Sequence, residues 1–351
     1  MTGTKVILER LRKEMKTSIY KIAVILMLIV FLSITMLGCS KGENYQRTAF
    51  FMDTKIDIAV YGTNKKQADA VIEAVFAEMQ QLENIFSRHI SGSDVNRINE
   101  AAGRTPVKVK PETIIVTRKA LEIAELSGGA FDPTVGPLLE LWGWGTEKPR
   151  VPSAEEINKV LPLVNYKAVE IDEANATIFL TKPGMKIDLG GIAKGFIVDQ
   201  GQEIAKQFSV KALFINAGGD ISITGSKPSG EKWRVAIQAP RDPQNWAAVL
   251  ELEEGSVATS GDYERFFEEG GEVFHHILDP KRGVPGGDVS SVTIVAPDTL
   301  ISDALSTAVF VRGKEKGMQL LESLQGIEGI IIDKDGEIYI SSGLGDKIKI
   351  L

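Results

Sequence analysis

Apolar residues alternate with polar ones at Ile56, Ile58 and Val60 of "TKIDIAVYG", and this period of two predicts a half-buried strand. Between Lys65 and Phe86 the pattern changes. Val71, Ile72, Val75, Met79, Leu82 and Phe86 follow a spacing of about 3.6, which predicts an amphipathic helix laid on a core. Pro111 suits the first turn of a second helix, which stops at "SGG", residues 127 to 129. "SAEE" at 153 to 156 is a capping box that opens a third. Short strands at 167–172 and 176–181 lead into "KIDLGGIAKGFIVD", residues 186 to 199: a strand end, a glycine turn, and a helix to about Phe208. "KALFINAGGDISITG" reads as strand, glycine turn, strand. Further strands run to about Ala296, broken by "SGDYERFF" and "DPKRG". Helices near 300–311 and 314–324 precede a hairpin turning at "DKDG". Strands and helices mix without steady βαβ alternation, so the pattern favours an α+β fold with mixed or antiparallel sheets over a doubly wound one.

The front of the chain carries a different pattern. Ile22 to Leu37 is an uncharged, mostly apolar run preceded by Lys16 and Lys21 and followed by "GCS", the arrangement of a secretory signal. "MLGCS" resembles the bacterial lipobox, and Cys39, the only cysteine of the protein, stands where that motif is lipidated. The run is short for a transmembrane span. The expected organisation is a lipoprotein signal over 1–38, with Met15 a better start than Met1, a lipidated tether over 39–48, and one domain over 49–351. This implies an extracytoplasmic protein held on the cell membrane by its lipid. A lone cysteine excludes an intramolecular disulfide framework, a four-cysteine zinc site and a cysteine-ligated iron–sulfur cluster. Net charge is −7 with acid and base mixed throughout, and no basic run is interleaved with aromatics, so nucleic acid is not an expected partner.

Candidate chemistry lies in four stretches. In "KIDLGGIAKGF", glycines let a ligand approach the backbone, a helix N-terminus offers N–H groups to an anion, and Lys194 adds a positive charge in the first turn. Asp188 suits a base, a ribose or a metal; a tight turn with a solvated lysine explains the stretch about as well. In "ISDALSTAVFV", residues 301 to 311, a helix puts Asp303, Ser306 and Thr307 on one side as hard oxygen ligands suited to magnesium. Ordinary helix-start chemistry is the alternative there. "HHILDPKRG" places two of the three histidines side by side in a predicted strand, one facing inward and one outward. Either is a general base or a satisfied core histidine. "GGAFDPTVGPLLELWGWG", residues 128 to 145, could wall a planar ring or simply follow a helix C-cap.

Taken in order, "FFMDT", "FSRHISGSDVNRIN", "GGAFDPTVGPL", "IDLGGIAKGFIVD", "NAGGDI", "ATSGDYERF", "HHILDPKRG" and "DALSTAVFV" resemble the ApbE family of FAD:protein FMN transferases over roughly residues 45 to 345. The resemblance implies a T-fold-like α+β architecture with an FAD cleft between sub-domains and one or two magnesium ions beside the pyrophosphate. It maps FAD contacts onto Met52, Ala130, Phe131, Asp132, Asp188, Lys194 and Ile277, and metal ligation onto the carbonyl of Gly191 and the side chains of Asp303, Thr307 and, in some members, Ser306. His276 matches the histidine of the H-I-x-D-P block and is the expected base. Asp53 stands where glycine is commoner. His89, also mapped as an FAD contact, stands where a tyrosine is usual; this puts an aromatic stacking contact in doubt, although an imidazole can stack or hydrogen-bond. The implied reaction is attack of a threonine or serine hydroxyl of an acceptor flavoprotein on the FMN-side phosphorus of FAD, with AMP leaving. An FAD pyrophosphatase and a lipid-anchored flavin-binding protein are the competing readings; no G-x-S-x-G supports a serine hydrolase.

Overall fold

The structure, a computed structural model, describes residues 44–351. Cys39 and the apolar run before it lie outside the described residues. Among the described residues, no helix is long and apolar enough to cross a membrane.

The centre is an antiparallel sheet of eight strands whose spatial order follows the chain. They are β1 (Asn44–Phe51), β2 (Thr54–Tyr61), β3 (Ala212–Ala217), β4 (Asp220–Thr224), β5 (Gly255–Gly261), β6 (Val289–Ala296), β7 (Glu328–Asp333) and β8 (Ile338–Ile340). Excursions between neighbouring strands build most of the rest, and the C-terminal strand Ile348–Ile350 completes a small three-stranded sheet. The longest, from β2 to β3, carries helices α1 (Lys65–Phe86), α2 (Asp94–Glu100), α3 (Pro111–Leu126), α4 (Gly136–Leu141), α5 (Ala154–Val160) and α6 (Ala193–Ala205). Helix α7 (Thr299–Glu322) joins β6 to β7.

Period two along the strands divides the core. Ile56, Ile58 and Val60 of β2, with Leu213, Ile215 and Ala217 of β3, face the helices; Ala212 and Phe214 face the other way. On that second face Trp233, Val235 and Leu250 of a small three-stranded sheet cover Ile223, Val257 and Ile330. Because both faces are covered, β6 is buried almost throughout, which explains its apolar or small residues at successive positions.

One expectation changes and another is met. Residues 44–48, assigned to the tether, belong to β1, since Tyr45, Ala49 and Phe51 pack on the core and Arg47 on the same face reaches over Phe76 to Glu73. The two helices expected at 300–311 and 314–324 both form within α7 and meet at Gly313, whose backbone leaves the helical region at φ +75°. The break is fixed by Asp288, which accepts the Lys314 N–H at 2.9 Å. The capping box at Ser153 and Glu156 forms as the sequence predicts.

Helix α6 crosses α7 at Gly195, where a Cβ would collide with the Thr299 carbonyl. Gly195→Ala therefore forces the helices apart and lowers stability by about 1–3 kcal/mol, the usual cost of overpacking, read as a lower urea midpoint. At the other end of this crossing, Asp199 accepts the N–H groups of Thr299 and Leu300 at 2.8 Å each, and so fixes the start of α7.

Candidate active site

The segment 186–192 is threaded between two supports before α6 begins. Asn99 grips Ile187 from both sides, accepting its N–H at 2.7 Å and donating to its carbonyl at 2.9 Å. The Asp188 N–H donates to the Pro133 carbonyl at 2.7 Å. These bonds deliver Gly191 to the side of α7, where a Cβ would sit 3.2 Å from the Phe131 ring and 3.5 Å from Thr307 Oγ1. Gly191 is small because the backbone itself closes on the ring and the hydroxyl.

Asp303 and Thr307 lie one turn apart on α7, as the spacing predicts. Asp303 Oδ2 accepts the Gly195 N–H at 2.9 Å, which ties α7 to the first turn of α6. Ser306 donates to the Asp303 carbonyl at 2.8 Å, and its Oγ lies 2.7 Å from Ser260 Oγ, which is itself 3.3 Å from Thr307 Oγ1. Burial, and after it the neighbouring Asp220, push the Asp303 carboxyl above its ordinary range. Such a carboxyl beside hydroxyls and a carbonyl suits a hard cation, whose charge would reverse that shift. Among the described residues no group of three or more His, Cys, Asp or Glu side chains is placed to hold a metal ion; the carboxylates that meet here are Asp303 and its neighbour Asp220.

Lys194 enters the same space from α6 and is ion-paired with the buried Asp220 of β4. Burial pulls its pKa down, but Asp220 and Asp303 outweigh burial and hold the ammonium above its ordinary value. Its charge reaches His276 as well. His276 follows directly after the strand Glu272–His275; its N–H donates to the Arg265 carbonyl at 3.1 Å, and Nδ1 lies 3.2 Å from the same oxygen. That contact makes Nδ1 the protonated nitrogen and leaves Nε2 with its lone pair. Burial, then the charge of Arg265, lower the His276 pKa to about 4, so the ring is neutral at pH 7. His275 turns inward and packs edge-on against Phe310 at 5.4 Å, the opposite placement expected of neighbours.

The other mapped positions divide into two sorts. Asp188 pairs with Arg88 (Nε to Oδ2 2.8 Å) and accepts the Gly190 N–H at 2.8 Å. Asp132 is turned into the protein: it accepts from Thr134 N–H at 2.8 Å, Thr134 hydroxyl at 2.6 Å and Tyr166 N–H at 3.2 Å. Its side chain shapes the loop that presents Phe131, while Ala130 is half-buried beside it. Met52 and Asp53 form the two-residue turn between β1 and β2, both at positive φ (+53° and +54°), a conformation unusual for residues other than glycine. The Met52 N–H is held by Glu83 at 2.8 Å. Ile277 is buried next to His276, and its carbonyl accepts from Gly286 at 2.9 Å. His89 is exposed, with its imidazole against Gly145. Sequence reasoning assigned nothing to Arg88, Trp144, Ser260 or Asp220; the last two stood in "ATSGD" and "NAGGD", whose fixed place in the series of blocks was their only signal.

With this geometry in view, the comparisons are decisive about ancestry. The sequence model of the ApbE family matches residues 52–331. The chain belongs to the ApbE family. Among ApbE relatives, the FAD:protein FMN transferase of Treponema pallidum is 33% identical over 330 residues, covering 90% of this chain and 91% of its own. That of Klebsiella pneumoniae is 34% identical over 305 residues, covering 86% and 93%. The crystal structure of the ApbE protein of Thermotoga maritima superposes with a TM-score of 0.81 at 39% identity, over 86% of this chain and 98% of that one. The ApbE fold is thus α+β with antiparallel sheets, as the pattern of elements predicts.

Proposed function

We infer that this protein is an FAD:protein FMN transferase: it moves FMN from FAD to a threonine or serine hydroxyl of an acceptor flavoprotein and releases AMP. The observation that carries the reading is the meeting of Gly191, Phe131, Lys194, Asp303 and Thr307 beside a neutral histidine, in a chain that matches transferases over about nine-tenths of its length.

The chemistry asks little of covalent catalysis and much of placement and charge. The turn at Met52 offers a surface to the flavin, Phe131 stands buried behind Gly191 as its backing, and Asp188 offers a carboxylate to the nucleotide. Lys194, kept charged by Asp220, faces the anionic pyrophosphate. The acceptor Oγ forms a bond to the FMN-side phosphorus while the bond from that phosphorus to AMP breaks. The hydroxyl proton passes to Nε2 of His276. Asp303, Thr307 and the carbonyl of Gly191, with Ser306 adjacent, are the residues that would hold magnesium. Magnesium supplies charge neutralisation and a template at the diphosphate when bound. The signal-like run and Cys39 support a lipid-anchored enzyme acting outside the cytoplasm on surface or electron-transfer flavoproteins.

Incubating the enzyme with FAD, magnesium and an acceptor protein yields an acceptor heavier by one FMN and fluorescent after denaturation. Free FMN and AMP with an unmodified acceptor would identify a hydrolase, and intact FAD would identify a binding protein.

A further inference from the structure

We propose that Arg88 and Trp144 form a strut between the nucleotide carboxylate, Asp188, and the reacting histidine, His276, and that both are positioning residues for the transfer. The proposal rests on the functional reading above but concerns residues to which that reading gives no role.

Arg88 directly precedes His89, and its guanidinium is used in two directions. Nε meets Asp188 Oδ2 at 2.8 Å, and Nη2 donates to the Trp144 carbonyl at 2.8 Å. The Arg88 and Asp188 side chains are only 13% and 17% exposed, so the pair is little screened by water. A planar fork holds two acceptors at a fixed separation, which a lysine cannot do. Trp144 is fixed in turn. Its N–H donates to the Leu139 carbonyl at 2.9 Å, and its neighbour Trp142 is anchored through Nε1 to the Gly283 carbonyl at 2.8 Å. The indole then stands edge-on to the His276 ring, with centroids 6.2 Å apart and planes at 71°, and is backed by Phe267 at 5.4 Å. Its own Nε1–H is buried with no acceptor among the described residues, so the indole acts as a rigid plate rather than a polar anchor. His89 lies against Gly145, the next residue, so the same loop also fills the space beside the position where a tyrosine was expected. One chain of contacts therefore runs Asp188–Arg88–Trp144–His276, joining the carboxylate assigned to the nucleotide to the assigned base.

The indole also helps to shield His276 from water. The charged and titratable groups around that ring are Arg265, His275 and Lys194, and none of them is altered by changing Trp144. Trp144→Leu lets water reach the imidazole, so the acid limb of the rate profile moves from near pH 4 toward the ordinary histidine value of about 6.5. The same variant lowers kcat by about 100-fold, the scale of a misplacement near 1 Å, with FAD affinity within about twofold of wild type. Trp144→Phe restores the limb and most of the rate. Arg88→Met and Arg88→Lys both weaken FAD binding about tenfold, followed as quenching of flavin fluorescence, because neither retains the fork.

The proposal is overturned if Trp144→Leu and Arg88→Lys, folded by circular dichroism, keep the wild-type kcat, acid limb and FAD affinity. Should Trp144→Leu not fold, Trp144→Met against Trp144→Phe reads the same limb. Every readout is taken on FMN release from FAD as well as on acceptor labelling. A wild type that releases FMN but labels no acceptor would overturn the transferase reading while leaving the strut measurable.

Discussion

Replacing His276 with asparagine lowers FMN transfer by about 10²–10⁴-fold, the span over which a positioned general base usually acts, and leaves FAD bound. Asparagine keeps a donor near the position of Nδ1–H, so the bond to the Arg265 carbonyl has a successor and the loop stays in place. What disappears is the Nε2 lone pair. In the wild type that lone pair is available well below neutrality, since burial and Arg265 bring the pKa down to about 4. The transfer rate is therefore flat from pH 7 to about pH 5 and falls as pH passes through 4. The same shift has a sign for stability. The unfolded chain binds a proton near pH 6.5 that the folded one refuses until about pH 4, so this group favours folding above pH 6.5 and its contribution is lost as pH falls through that window. His276→Asn removes the acid limb and this part of the pH dependence of stability together. Transfer that persists in His276→Asn at the wild-type rate would remove the histidine from the proton's path. FAD affinity that collapses would show that its role is in binding.

What the sequence made legible was local. Val71, Ile72, Val75, Met79 and Leu82 announce α1 because a helix repeats its buried face within two turns, and all five are buried. Asp303 and Thr307 were readable as a pair because one helix carries both. The site as a whole was readable only through resemblance, because Gly191 and Thr307, or Lys194 and Asp220, are brought together by strands and helices far apart in the chain. The start of β1 was misread since alternation over Tyr45, Ala49 and Phe51 is weak beside the polar residues Asn44, Gln46, Arg47 and Thr48. Asp132 illustrates another limit: a carboxylate inside a cofactor-binding block can spend its oxygens on Thr134 and Tyr166, and only coordinates reveal which way it faces.

Asp303→Asn separates stability from activity, and is the second large effect. The wild-type carboxyl is buried and raised in pKa even with Lys194 nearby, because burial and Asp220 outweigh that lysine, so its charge is destabilising until a cation binds it. An asparagine of the same shape still accepts the Gly195 N–H through its amide oxygen, and so keeps the clamp between α6 and α7. Without magnesium, the variant unfolds at the wild-type temperature or above it. Among the proposed magnesium ligands, the variant lacks a negative charge that Thr307, Ser306 and the Gly191 carbonyl cannot replace, and transfer falls by about 10²–10³-fold, as when a preorganised electrostatic partner is removed from a reacting phosphate. Adding magnesium separates the two proteins further, because a ligand that binds only the folded state raises its melting temperature. The wild type responds over a range of magnesium concentration that also sets its activity, and Asp303→Asn does not. A variant that transfers FMN with the magnesium dependence of the wild type would take Asp303 out of the metal's coordination and, with it, Thr307 one turn away. A variant that melts far below the wild type with full metal response would instead reduce Asp303 to the clamp on Gly195.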